Sequence, residues 1–244
     1  MPKQKTILVT GASRGVGAET ARMLAARGHH VVINYREKRK RAENLVDEII
    51  AAGGSAVAIA ADLTVTSQVA AMIDEIARAA GQLDAIVLNA SGGLERGADP
   101  TYPLAINRDA QLRVLDAARE LMKSGSRVVY VTSHQAHFIG SRAAPDGYLP
   151  VATSKRAGED AVRQRHTELA TRGIGLSVVS GDMIEGTMIV KLLHRRNSEA
   201  VDQRRGLGPL PTIVEFSAAV CDEIEQGGTV ARTVFVGGSD YLAS

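Results

Sequence analysis

Residues Thr6–Gly17 read T-I-L-V-T-G-A-S-R-G-V-G, and this stretch decides the fold. Ile7, Leu8 and Val9 form a short apolar run between a polar terminus and a glycine turn. Such a run suits a strand buried on both faces of a parallel sheet. Gly11, Gly15 and Gly17 then separate it from a helical pattern that continues through Arg27. Glycine adopts backbone angles other residues avoid and lets a ligand approach the main chain. The unpaired N–H groups and positive dipole end of the following helix attract an anion over that turn. The strand-turn-helix unit therefore reads as a phosphate cradle, although its Gly-x-x-x-Gly-x-Gly spacing differs from the commoner Gly-x-Gly-x-x-Gly fingerprint.

The same alternation continues along the chain. Strands are expected at His30–Asn34, Ser55–Ala60, Leu83–Leu88, Arg127–Thr132, Gly175–Val179 and Thr233–Val236. Helices are expected at Lys38–Ala52, from a Thr66 or Ser67 cap to Ala80, and at Pro103–Met122, Pro150–Thr171 and Thr212–Glu225. No linker, repeat or low-complexity tract interrupts them. The order predicts an α/β fold, a single doubly wound parallel sheet of Rossmann type with helices on both faces, formed by one domain over residues 1–244. In such sheets ligands sit beyond the carboxyl ends of the strands.

Composition narrows the function classes. A net charge of +2 is too mild for a nucleic-acid partner, which calls for a concentrated basic stripe. No run approaches the roughly eighteen apolar residues of a membrane span, and the first residues lead directly into a strand, so a cytoplasmic protein is expected. The lone Cys221, beside Val220 and Ile224, reads as a small core side chain rather than a reactive thiol. The basic run Arg36–Arg41 reads as the solvated start of a helix.

The string T-G-A-S-R-G-V-G resembles the cofactor turn of the short-chain dehydrogenase/reductase family, and the strand ends extend the resemblance over the whole chain. It implies a nicotinamide dinucleotide contacted by Gly11, Ser13, Arg14, Gly15, Val16 and Gly17. After the second strand, Asn34, Tyr35 and Arg36 stand where an NAD-preferring protein places an acid. Arg36 with Arg14 is able to pair with a 2′-phosphate, so NADP is expected over NAD. Asp62-Leu63 matches the family's acidic residue beside adenine, with a turn or capping aspartate as the structural alternative. Asn89-Ala90-Ser91-Gly92 resembles the family's Asn-Ala-Gly segment beneath the cofactor.

The resemblance also implies a Ser, Tyr, Lys and Asn active site that moves a proton while hydride passes between nicotinamide and a carbonyl or alcohol carbon. Ser133, Lys155 and Asn107 match by order and placement, with Lys155 also holding the nicotinamide ribose. The tyrosine does not match. Its position, four residues before Lys155, is Val151, and valine cannot move a proton. Tyr148 is the nearest phenol, seven residues before Lys155 and fifteen after Ser133. Tyr148 is therefore the expected proton donor, from a displaced site. His134 or His137 as donor, and a cofactor-binding sensor without redox activity, are the competing readings; a lyase or isomerase fits less economically.

Further on, Ser180-Gly181 replaces the family's Pro-Gly, and Thr187 follows two residues later than the expected nicotinamide-contacting Thr. Lys191, His194, Arg195, Arg196, Arg204 and Arg205 occupy the place of the family's substrate lid. They fit either an acidic or phosphate-bearing substrate or a solvated charged helix. A homodimer or homotetramer is expected by family analogy.

Overall fold

In the computed structural model, residues 4–94, 97, 99–142, 144, 147–196 and 198–238 are described. The first half runs β1 (Thr6–Val9), α1 (Gly15–Ala26), β2 (His30–Tyr35), α2 (Arg39–Ala51), β3 (Ser55–Ala60), α3 (Thr66–Ala80) and β4 (Leu83–Leu88). Next come α4 (Tyr102–Leu104), a π-helical turn at Ala105–Asp109, α5 (Ala110–Ala118), β5 (Met122–Ser133) and α6 (His134–His137). The chain continues with α7 (Leu149–Gln164), α8 (His166–Thr171), β6 (Gly175–Gly181), α9 (Met188–Arg196), α10 (Ser198–Gly206), α11 (Ile213–Glu225) and β7 (Arg232–Val236).

The seven strands form one parallel sheet in the order β3-β2-β1-β4-β5-β6-β7. Alternate side chains of each central strand enter opposite cores, as the period of two requires. Leu8, Ile86, Leu88, Val128 and Tyr130 belong to one buried cluster, with Met72 and Ile76 of α3 and Val114 of α5. Ile7, Val9, Val87, Val129 and Val131 belong to the other, with Leu24 of α1 and Phe216 and Val220 of α11. Each fully buried aliphatic side chain contributes about 1.5–3 kcal/mol relative to exposure. This two-sided burial is why the strands read as continuous apolar runs.

Several expected boundaries change. The helix expected over Pro103–Met122 is broken by the π turn, and its last residue opens β5. The helix expected to run to Thr171 turns at Arg165 and resumes as α8. Thr66 is helical rather than a cap: Val65 is the N-cap residue of α3, with no side-chain cap bond. Thr212 does cap α11, through a reciprocal capping box with Glu215. Among the described residues no helix is long and apolar enough to cross a membrane.

Sequence order reverses between β1 and β4, so the loops after these strands diverge and leave a crevice at their carboxyl ends. The glycine turn and Asn89-Ala90 flank that crevice. A third, smaller apolar cluster lies at the same end, where Val190 and Leu193 of α9 and Val201 of α10 cover Tyr148, Val151 and Ala152.

Candidate active site

The turn after β1 is fastened from both sides. Asn34 accepts the Gly11 N–H (3.1 Å) and donates to the Ala61 carbonyl (3.2 Å). Asn89 donates to the Thr10 carbonyl (2.9 Å), and the Thr10 hydroxyl accepts the N–H groups of Asn89 and Ala90 (2.9 and 3.0 Å). The glycines divide the work. A Cβ on Gly17 would lie 2.5 Å from Asn89 Nδ2 and 2.9 Å from Ala12 Cα; one on Gly11 would lie 2.9 Å from Ala90 Cα. Gly15, at φ +58°, faces open space. Arg14 is the N-cap residue of α1, no side chain caps the helix, and no acid occupies its first turn. Unsatisfied amides beneath open space suit a pyrophosphate.

Two hollows meet at this turn. One, of about 200 Å³, is lined by Ser13, Arg14, Tyr35, Arg36, Asp62, Leu63 and Ala90, and also by Lys38, Arg41 and Tyr102. The other, of about 610 Å³, is lined by Gly11, Arg14–Gly17, Asn89, Ser133, Tyr148, Lys155, Asp182 and Thr187, and closes under α9. Arg14 and Arg41 line both. Arg41, Lys38 and Tyr102 are additions to the expected set: the first two were read as solvated charge, and Tyr102 lies far away in sequence. Tyr102 accepts a hydrogen bond from Arg36 (2.5 Å), whose Nε also pairs with Glu37 at 3.0 Å. Asp62 fulfils the turn reading, because its carboxylate accepts the Thr64 N–H and hydroxyl (2.9 and 2.7 Å). It also lines the smaller hollow. Thr187 donates to the Ile184 carbonyl (2.8 Å) while lining the larger one.

In the larger cleft the Ser133 and Tyr148 hydroxyls lie 3.3 Å apart. Ser133 ends β5, and Tyr148 is the N-cap residue of α7. Pro150, in the first turn, fixes where that helix starts. Seven residues are nearly two helical turns, so Tyr148 and Lys155 present to one side of α7, and both line the cleft. Val151 instead packs into the apolar cluster beneath the lid. Burial raises the Tyr148 phenol above its ordinary value, and its bond with Ser133 opposes that. Burial lowers Lys155 to about 8, opposed by the carboxylate of Glu159 one turn on. Among the described residues the Lys155 ammonium has no hydrogen-bond partner. A cation with no such partner, lining the same cleft as the phenol, fits a ligand hydroxyl such as a ribose.

The chain is matched over residues 5–197 by the family model described as short chain dehydrogenase. It belongs to the short-chain dehydrogenase/reductase family. One relative, the 1-cyclohexenylcarbonyl-CoA reductase of Streptomyces collinus, is 35% identical over 189 residues, covering 75% of this chain and 66% of the relative. The chain thus spans less than two thirds of that relative's length, and about 60% of the Metarhizium hydroxynaphthalene reductase-like proteins it also matches. Among solved structures, a short-chain dehydrogenase/reductase of Serratia marcescens superposes with a TM-score of 0.81 at 25% identity, covering 96% of this chain and 98% of that one. A blue fluorescent protein from a metagenomic library, solved in complex with NADPH, gives 0.78 at 28% identity, covering 96% of each.

Asn107 lies in the π turn, away from the cleft wall that Ser133, Tyr148 and Lys155 share, and spends its polar groups on the scaffold. Its amide donates to the Gly92 carbonyl (3.0 Å) and the Ser154 hydroxyl (2.9 Å), and its side-chain oxygen accepts the Gly92 N–H (3.3 Å). Its carbonyl accepts the Tyr130 hydroxyl (3.2 Å), which also reaches the Lys155 carbonyl (3.0 Å). Asn107 is thus a joint that positions α7, and with it Lys155. The histidines are scaffold as well. His134 bonds Ser180 (2.8 Å) and the Gly237 carbonyl (2.9 Å), His137 bonds the buried carboxylate of Glu159 (2.7 Å), and neither lines the cleft. Cys221 is buried, its thiol pushed up to about 12 by that burial, as a core side chain should be.

Gly158 is where α7 presses on the π turn. A Cβ there would lie 2.0 Å from the Asn107 carbonyl oxygen and 2.5 Å from the Tyr130 hydroxyl. Gly158→Ala is therefore expected to destabilise the fold by about 1–3 kcal/mol, against the usual helix preference for alanine. Thermal unfolding measures it; an unchanged or raised Tm would show that the two elements separate without cost.

Proposed function

We propose that this chain is an NADP-dependent oxidoreductase that moves hydride between nicotinamide and a carbonyl or alcohol carbon, with Tyr148 as the proton donor. The observation that carries it is the 3.3 Å approach of Tyr148 to Ser133 in the cleft that Lys155 also lines. Bound along the two hollows, the dinucleotide supplies or accepts hydride. Gly15, Val16 and Gly17 would hold its pyrophosphate, Asp62 and Leu63 its adenosine end, and Lys155 its nicotinamide ribose. In the reducing direction Ser133 donates a hydrogen bond to the substrate oxygen. Tyr148 delivers the proton that, with hydride on carbon, completes the alcohol, and the Lys155 charge favours the phenolate left behind. The sensor alternative rests on Val151; the 3.3 Å approach of Tyr148 to Ser133 and the reductase relatives support the redox reading over it.

NADP is favoured over NAD because Asn34 turns inward to the glycine turn while Arg14, Arg36, Lys38 and Arg41 surround the smaller hollow, against Glu37 and Asp62 as opposing charges. Acyl thioesters enter as a substrate class through the Streptomyces collinus relative, which is named for one. One domain over residues 1–244 and assembly as a homodimer or homotetramer in the cytoplasm rest on family analogy.

Fluorescence titration tests the cofactor. NADPH is expected to bind at least about tenfold more tightly than NADH, and Arg14→Ala to remove most of that margin, as loss of a charge-assisted phosphate contact should. Equal affinities would defeat the NADP assignment. A carbonyl panel tests the reaction: NADPH binding without oxidation by any carbonyl would return the chain to the sensor reading.

A further inference from the structure

The proposed hydride chemistry leaves the cations of α9 unused. The helix, M-I-V-K-L-L-H-R-R over Met188–Arg196, contains no acid. Lys191 stands in its first turn, where the positive end of the helix dipole disfavours a cation, and Arg195 repeats the charge one turn later. Both are exposed, and among the described residues neither has a carboxylate partner. Three neighbouring cations are matched. Arg205 pairs with Glu185 (3.0 Å) and Asp202 (3.6 Å), Arg204 is bound to the buried Asp182, and His194 lies 3.7 Å from Asp202.

Lys191 also has a particular place. With Val190 it lines both the 610 Å³ cleft and a further hollow of about 230 Å³, whose wall adds Glu185, His194, Arg195 and Arg205. A molecule extending from the cleft past Lys191 therefore enters a hollow whose carboxylate is already paired and whose two unmatched charges are positive. The cleft is also walled by Met183, Met188, Ile189 and Leu193.

We propose that Lys191 and Arg195 bind the phosphate of a phosphopantetheine thioester whose acyl group lies in the apolar cleft. This rests on the cleft being the site of hydride transfer. It chooses the ligand reading of the lid cations over the solvated one, because solvation alone explains neither the first-turn lysine nor its position between two cavities.

Calorimetry on NADP⁺-saturated protein, with 4′-phosphopantetheine and pantetheine as probes, tests it. The phosphorylated probe is expected to bind about tenfold more tightly or better, as two charge-assisted contacts allow. In Lys191→Ala/Arg195→Ala the two probes should bind within about twofold of each other, with pantetheine and NADPH affinities unchanged, and in wild-type protein the margin should shrink with salt. Coenzyme A separates the sources. Binding tighter than phosphopantetheine supports a free thioester, and equal binding supports an arm carried on a protein. Equal binding of the two pantetheines to wild-type protein, no binding of either, or a margin that survives the double substitution overturns the proposal. NADPH binding without a phosphate margin defeats this inference alone; no NADPH binding defeats the cofactor reading, and this one with it.

Discussion

Tyr148→Phe lowers the rate of NADPH-dependent carbonyl reduction by about 10²–10⁴-fold, the range expected when a general acid is removed, while the NADPH affinity stays within about twofold. The substitution deletes one oxygen from a side chain that remains buried in the lid cluster, so packing is conserved and the fold should persist. Binding should persist too, since the phenol belongs to the substrate end of the cleft and the pyrophosphate cradle is main chain. Ser133→Ala, which leaves the donor but removes its 3.3 Å neighbour, should cost less, about 10²-fold. Restoring the family's arrangement with Val151→Tyr in the Tyr148→Phe background should not recover the rate, because Val151 is 1% exposed among apolar side chains that leave no room for a ring. Steady-state NADPH oxidation against a responsive carbonyl decides the matter. If Tyr148→Phe turns over like the wild type, the phenol is not the donor.

How far the sequence led depended on how local each cause was. The glycine turn was legible because its requirements are local: Gly11 and Gly15 take φ of +62° and +58°, which only glycine adopts readily. The strands were legible because burial on both faces imposes an unbroken apolar run. The approach of Tyr148 to Ser133 was legible from the interval between them, with a strand ending at Ser133 and a helix starting before Pro150. Features made by contacts between distant segments were hidden. The close approach of α7 to the Asn107 carbonyl depends on Gly158, a fact about two segments 51 residues apart. Asn107 therefore matched by order while its side chain turned to Gly92 and Ser154. Arg41 looked like surface charge because nothing in a run of basic residues says which of them faces a cleft. Asn34 was noted for the charge it lacks, yet its amide fastens the glycine turn.

Lys155→Met should move activity and stability in opposite directions. Lys155 is 6% exposed, its ammonium has no hydrogen-bond partner among the described residues, and burial lowers it from 10.5 to about 8. Below pH 8 the lysine is protonated in both the folded and unfolded chains, and the folded chain bears the whole cost of holding that charge in the cleft. Between about 8 and 10.5 the unfolded chain holds the extra proton, so wild-type stability rises with pH across this window, and above it the cost is gone. Methionine fills similar space without a charge. The variant should therefore be more stable at neutral pH by on the order of a few kcal/mol, an advantage that disappears above about pH 10.5. Its reductase activity should fall about 10²–10³-fold, and NADPH should bind more weakly, because the cation that favours the phenolate and holds the ribose is gone. The wild-type kcat/KM should likewise decline as pH rises through about 8, where the free enzyme loses this charge. Chemical denaturation at several pH values, set beside the pH–rate profile, measures both arms. A variant that is destabilised at neutral pH would mean that the ammonium is satisfied in the folded protein. A wild-type rate that stays flat to about pH 10 would mean that the charge on Lys155 is not what poises Tyr148.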